Sequence, residues 1–283
     1  MNRRRFLQAT LGTAGALASP LAGANNAKAT DVVYLGPDRI RLSRLAMGTG
    51  TRGGAPQRAL GIQGLADMLH FGYDQGVFFW DTSDSYKTHP HIKQALTRVP
   101  REKVTVLTKT RARTAAEMRA DLDRFRQELN TDYLDILLLH ALRRPDWPEE
   151  RKGAMEVISE AREKGIVRTH GCSCHSIEAL ETAARTPWVR VDLARINPAT
   201  LLMDADPPAV IKVLREMKAA GKGVIGMKIL GEGGLRDRVD EALRFALSLE
   251  CLDCFTIGAE NRREFADLLK RIPAASGRAR AAA

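Results

Sequence analysis

The chain repeats a kind of segment rather than a motif. Eight short segments with the look of strands, led by the unbroken apolar run Val77–Trp80, are each followed by a polar loop, and amphipathic stretches separate them. Apolar runs without alternation read as strands buried on both faces, as in parallel sheets. The runs expected as strands are Leu42–Gly48, Val77–Asp81, Val104–Thr108, Leu134–His140, Val167–Ser173, Val189–Ile196, Gly223–Leu230 and Cys254–Ile257. Helices are expected between them, near 61–75, 91–97, 114–129, 148–164, 176–184, 207–220, 237–248 and 261–271. Their stops and starts are legible: Gly76 and Gly165 end helices, and Thr114 with Glu117 forms a capping box. Ser176 is a cap, and Asp206 precedes Pro207-Pro208 at another helix start. Strict β/α alternation with no linker-like shift in composition predicts one α/β domain, a (β/α)8 TIM barrel over residues 30–273. The Ala/Arg-rich tail, 274–283, is expected to fray.

In such a barrel the loops after the strands carry the chemistry. Three consecutive runs hand off to ionisable residues there. VFFWDTSDSY ends on Asp81 with Tyr86 five positions on, VTVLT ends on Lys109, and LDILLL ends on His140. Singly, these read as a helix cap, a solvated lysine and a core histidine. In register on adjacent strands they read as one pocket. A free tyrosine has a pKa near 10. A neighbouring ammonium is expected to lower it, Asp81 to keep Lys109 charged, and His140 to bind the oxygen that Tyr86 protonates. Such a set donates a proton to a carbonyl but has no hydride of its own, so it implies a cofactor.

The N-terminal segment reads differently. Arg3-Arg4-Arg5-Phe6-Leu7 precedes a weakly apolar Ala/Gly run, with A-x-A sites at 22–24 and 27–29. It looks like a twin-arginine signal peptide over residues 1–29, exporting a folded protein to the periplasm and leaving no membrane anchor. Of the net charge of +10, four positive charges lie in that segment, leaving +6 on scattered positions. That suits a phosphate-bearing ligand and argues against nucleic acid. Cys172 with Cys174, and Cys251 with Cys254, fall on opposite rims of the expected barrel, so no metal site is expected from the four together. The oligomeric state is left open.

The segments Asp81-Thr82…Tyr86, Thr108-Lys109, Leu134-Asp135…Leu139-His140, Gly171-Cys172-Ser173 and Ile257-Gly258-Ala259-Glu260-Asn261 resemble the aldo-keto reductases, over about 42–269. The resemblance implies a catalytic tetrad of Asp81, Tyr86, Lys109 and His140. It also implies NADPH, usually in preference to NADH, and a small aldehyde or ketone as substrate. Gly48 and Thr49 match the first-strand turn, and Ser173 a nicotinamide-amide ligand. Cys174 stands where the family has Asn, Asn197 lies near the family's Gln, and Met227 replaces a stacking Tyr, with Lys228 after it. The phosphates are expected at Leu230, Gly231 and Gly233, and at Gly258 and Asn261 before the last helix. Arg262 or Arg263 is expected to pair a 2′-phosphate. The chain lacks the long closing loop of larger members, so an open pocket is expected, with His89 and His91 solvated on its rim. The alternative is a cofactor-binding, redox-sensing or partner subunit with little turnover. A third reading is a non-redox barrel acting on a phosphorylated ligand.

Overall fold

A computed structural model describes residues 26–281. The expected signal peptide lies almost wholly outside the described residues. The chain opens with an antiparallel hairpin, β1 (Val32–Leu35) and β2 (Ile40–Ser43), and then enters the barrel. The barrel strands are β3 (Leu45–Gly48), β4 (Phe79–Asp81), β5 (Thr105–Thr110), β6 (Leu134–Leu142), β7 (Val167–Cys174), β8 (Val191–Arg195), β9 (Gly223–Met227) and β10 (Cys254–Ile257). They pair in sequence order, all parallel, and β10 returns to β3 to close the ring. The helices are α1 (Ala55–Ala59), α2 (Gly61–Asp74), α3 (His89–Ala95), α4 (Ala115–Leu129), α5 (Trp147–Glu150), α6 (Lys152–Glu163), α7 (Ile177–Arg185), α8 (Pro207–Ala219), α9 (Val239–Ser248) and α10 (Arg262–Ala281). Among the described residues, no helix is long and apolar enough to cross a membrane.

Two cores result from the two faces of each strand. Inside the ring, Ala46, Phe79, Leu107, Ile136, Leu138 and Ile225 pack together, and Leu35, Ile40 and Leu42 of the hairpin join them from below. Outside it, Trp80, Val106, Leu137 and Leu139 face the helices with Phe125, Trp147 and Ile158. The expected first strand, Leu42–Gly48, is therefore two pieces. Ser43 is the joint: its hydroxyl donates to Leu45 O and accepts from the amides of Phe78 and Phe79. Asp38, in the hairpin turn, ties it to the barrel through Arg190, Arg162 and Thr169. Those partners hold its carboxyl well below the usual carboxylate range, although burial opposes them.

The caps sit where the sequence places them. Thr114 Oγ1 accepts from Glu117 N at 3.2 Å, and Glu117 reaches back to Thr114 N at 3.0 Å. Ser176 and Asp206 cap α7 and α8. Three boundaries differ. Strand β9 stops at Met227, because Lys228 adopts φ 60° and turns the chain. Strand β6 runs past His140 to Leu142, with a register shift and Ala141 at φ 58°. The tail expected to fray is instead helix: α10 continues through Pro273, and Ile272, Ala275 and Ser276 are buried. Ser276 Oγ accepts from Ala27 N at 3.0 Å, and Ala29 O accepts from Leu45 N at 2.9 Å, so residues 27–29 are tied both to α10 and to the barrel.

Gly171 marks the tightest strand contact. A Cβ there would lie 1.7 Å from Val191 O on the paired strand, so a side chain forces β7 and β8 apart. Gly171→Ala is expected to lower the unfolding free energy by about 1–3 kcal/mol. Urea denaturation checks this, and an unchanged midpoint would contradict so close an approach.

Candidate active site

Strand parity decides which side chains meet at the barrel mouth. Phe79 and Asp81, Leu107 and Lys109, and Ile136, Leu138 and His140 alternate along their strands, and the apolar members fill the inner core. Asp81, Lys109 and His140 are thus the last inward positions of β4, β5 and β6. Tyr86 comes from a 3-10 turn, Asp84–Tyr86, which Ser83 caps by accepting from Ser85 N. The sequence expects these four together, and the structure brings them together.

Lys109 is fully buried, and its three donors are all engaged. Nζ donates to Asp81 Oδ1, to Thr82 O at 2.8 Å and to Tyr86 Oη at 3.5 Å. It also lies 4.7 Å from the centre of the Tyr86 ring. Thr256, an inward residue of β10, donates to the other Asp81 oxygen at 3.0 Å. Burial works against the ammonium, but Asp81 and Tyr86 overcome it, and the Lys109 pKa is raised. The tyrosine corrects an expectation. Burial pushes the Tyr86 phenol up, Lys109 pulls it down and the Asp81 charge adds to the rise, so the balance stands above the ordinary phenol value. The hydroxyl is therefore held protonated rather than made acidic in the resting site.

The bulge at Ala141 aims His140, with Ala141 N donating to Ser173 Oγ at 3.1 Å. His140 Nδ1 lies 3.0 Å from Ser83 Oγ and 3.3 Å from Ser85 Oγ. Ser83 Oγ also accepts from Ser85 N, and its one proton has Nδ1, Ser85 Oγ and Lys109 O within reach; with that proton on Nδ1, the neutral ring carries its own proton on Nε2. The ring stands edge-on to Tyr86, with centroids 5.6 Å apart.

A cleft of about 460 Å³ opens over this floor, within the range of small-molecule sites. It runs from Asp81, Tyr86 and Met227 outward to Val239 on α9 and Leu268 on α10. Gly48, Gly50, Gly233 and Gly258 leave its walls bare of side chains. At Gly50 this is required, since a Cβ would lie 2.4 Å from the Tyr86 ring. A proton donor without a hydride source, at the floor of an elongated glycine-walled cleft, fits a dinucleotide cofactor.

Of the residues expected to hold that cofactor, Gly48, Met227, Lys228, Leu230, Gly233 and Gly258 line the cleft. The others do not, each for a physical reason. Thr49 is buried and binds Asp81 O and Thr88. Ser173 is buried beneath Ala141 N. Cys174 follows it with the opposite parity and packs in the outer core with its thiol 4.0 Å from Cys172 Sγ. Asn197 is saturated, accepting from Ala199 N and Leu201 N and donating to Leu201 O in its own loop and to Lys228 O after β9. Gly231 packs on Leu201. Asn261 caps α10 together with Glu264. Arg262 lies over Phe71 and Arg263 is exposed outside the cleft. His89 and His91 are buried rather than solvated, His89 between Glu128 and Thr108. Thr256 and Ser83 were not singled out from the sequence. Thr256's inward parity, two before Gly258, was the available signal.

Burial, reinforced by Lys109 and Arg111, pushes the His140 pKa down to about 2, so the ring is neutral in the folded protein. Unfolded, it takes a proton below about pH 6.5. Between those values only the unfolded chain binds that proton, so acidification removes stability, by about 1.4 kcal/mol per pH unit for this residue. His140→Gln lacks this proton. The wild-type minus variant difference in unfolding free energy is expected to fall by roughly 2 kcal/mol from pH 5.5 to 4. Parallel denaturation curves would show that His140 is not buried neutral.

A family model described as the aldo/keto reductase family matches residues 44–267. Aldo-keto reductase YhdN of Bacillus subtilis (strain 168) is 27% identical over 164 residues, 50% of this chain and 46% of that protein. The chain thus spans about half the length of that relative. A Pseudomonas aeruginosa protein assigned to the aldo-keto reductases superposes with a TM-score of 0.75 at 20% identity, covering 88% of this chain and 96% of that one. A Bombyx mori aldo-keto reductase in complex with NADP superposes at 0.66 and 16% identity, covering 88% and 92%. At those identities the superpositions establish the fold, and the family match covers most of the chain. This chain belongs to the aldo/keto reductase family.

Proposed function

We propose that this protein reduces a small aldehyde or ketone to an alcohol, with Tyr86 as the general acid. The observation that carries this reading is the buried chain Thr256–Asp81–Lys109–Tyr86 at the floor of the glycine-walled cleft. A nicotinamide dinucleotide bound in the cleft would supply the hydride. Gly48, Gly233 and Gly258 allow close approach of its backbone, and Met227 offers an apolar face at the mouth. Tyr86 Oη and the Nε2–H of His140 would donate to the carbonyl oxygen. As negative charge moves onto that oxygen, Tyr86 releases its proton. Lys109 then stabilises the phenolate left behind, and Asp81 holds the ammonium in place throughout. Neutral His140 supplies a hydrogen bond without competing as an acid.

A second reading is a subunit that binds the cofactor but turns over little. The outward Cys174 and the self-satisfied Asn197 favour it, because the nicotinamide amide then has few polar partners. We also infer export to the periplasm by the twin-arginine route. Ala27 and Ala29 are tied into the fold, which favours cleavage after Ala24 over cleavage after Ala29.

Tyr86→Phe is expected to cut reduction of 4-nitrobenzaldehyde by about 10²–10⁴-fold while leaving nicotinamide affinity within twofold. In the wild type the raised phenol pKa keeps the acid protonated, so kcat/KM for reduction should be flat from pH 6 to 9. Undiminished turnover by the variant rejects Tyr86 as the acid, and tight binding without wild-type turnover selects the second reading. Mass spectrometry of a periplasmic fraction should find a mature chain beginning at Asn25. One beginning at Thr30, or an uncleaved cytoplasmic chain, would reject the cleavage assignment.

A further inference from the structure

We infer that the far end of the cleft selects a dinucleotide whose adenosine ribose carries a free 2′-hydroxyl, so that NADH binds in preference to NADPH. This rests on the nicotinamide reading proposed above and reverses the preference that the family resemblance implies. The far wall is built from α10 and the loop before it, and it presents Glu260, Glu264 and Asp267 to the cleft. Glu264 is fixed in place. Its Oε2 accepts from Glu260 N at 2.8 Å and its Oε1 from Asn261 Nδ2 at 3.0 Å, while Asn261 Oδ1 accepts from Glu264 N at 2.9 Å. This reciprocal cap occupies the amides of Glu260 and Glu264 and fixes a carboxylate at the helix start, where an incoming anion would have to lie beside it. Asp267, one turn on, is held by Arg271, which also binds Asp240 on α9.

The cations do not offset this. Arg262 is turned onto Phe71 and donates to Asp67 O, and Arg263 is outside the cleft. Arg52 is paired with Glu260 and Lys228 with Glu232. Among the described residues, Arg236 is the one cation lining the cleft without an ion pair. It suits the pyrophosphate, and that leaves none for a third phosphate. Val239 and Leu268 offer apolar surface beside the carboxylates, as an adenine needs. A ribose hydroxyl donates into a carboxylate, whereas a 2′-phosphate dianion is repelled by it and asks for an arginine. Because these carboxylates are exposed, the discrimination should weaken as salt rises.

The test is equilibrium titration of the full mature chain with NADH and with NADPH, followed by protein fluorescence, at 20 and 300 mM salt. Paired displacement by 5′-AMP and by 2′,5′-ADP isolates the ribose end. NADH is expected to bind at least tenfold more tightly at low salt, with 5′-AMP the better competitor and a smaller ratio at high salt. Glu264→Gln with Asp267→Asn should bring the ratio to threefold or less by strengthening NADPH, with NADH changed less. A second variant, Asp267→Asn alone, retains the helix cap and should narrow the ratio in part. Equal affinities, or tighter NADPH, in the wild type would overturn this inference and leave the carbonyl-reductase reading standing. Binding of neither nucleotide at millimolar concentration would overturn both.

Discussion

The site depends on one buried ion pair, Lys109 with Asp81. A fully buried ammonium is costly unless a carboxylate and further acceptors surround it. Here each donor of Nζ has a partner, and the free oxygen of Asp81 has Thr256. Removing one member of such a pair typically costs about 3–5 kcal/mol, so the pair and the barrel mouth stand or fall together. The pairing also fixes Tyr86. Its hydroxyl is one of only three acceptors open to the ammonium, and its ring occupies the space that Gly50 leaves empty. The acid is therefore positioned by the protein's own packing before any substrate arrives, which is the condition for electrostatic preorganisation.

That arrangement changes what the lysine does. A nearby cation is expected to make a phenol more acidic, but here burial and the Asp81 charge outweigh it in the resting site. The two statements concern different moments. A proton donor must hold its proton until charge develops on the acceptor, and a raised pKa does that. The ammonium acts when the phenolate forms, because it is already 3.5 Å from the oxygen that becomes charged. Lys109 thus stabilises the product of the proton transfer more than it activates the donor at rest.

The fold was legible because strands such as Phe79–Asp81 and Leu134–Leu142, buried on both faces, read as mostly apolar runs, and because Thr114, Ser176 and Asp206 mark helix starts by local chemistry. The floor of the site was legible for the same reason: Asp81, Lys109 and His140 end such runs at inward positions. What was not legible depended on parity or on long-range partners. Cys174 is next to Ser173, and adjacency on a strand puts its side chain on the other face of the sheet. Asn197 and Gly231 belong to two loops that lock onto each other, through Asn197 to Lys228 O and Gly231 against Leu201. The burial of Ser276 is set by Ala27, 249 residues away, and no local pattern encodes such a contact. Arg262 and Arg263 looked suited to a phosphate by proximity to Gly258, but a helical turn rotates neighbours about 100° apart and takes Arg262 to Phe71.

The two ends of the cleft also hold their charges differently. The pairs Lys228–Glu232, just after β9, and Arg52–Glu260, which reaches the loop before α10, join residues that all line the cleft. The Arg52–Glu260 pair is exposed, and such pairs are worth only about 0–1 kcal/mol, so Arg52 can turn to the pyrophosphate at little cost, but doing so leaves the Glu260 carboxylate unpaired. An anion in the middle of the cleft is therefore accommodated by re-pairing. For the carboxylates on α10 itself no such exchange is open. Glu264 is bound to backbone and to Asn261, neither of which carries a positive charge to release, and the cation that holds Asp267 is shared with Asp240 on a second helix. A cleft lined by both signs of charge thus accepts anions only where its cations are loosely held. In this chain that condition is met close to the barrel and fails along α10.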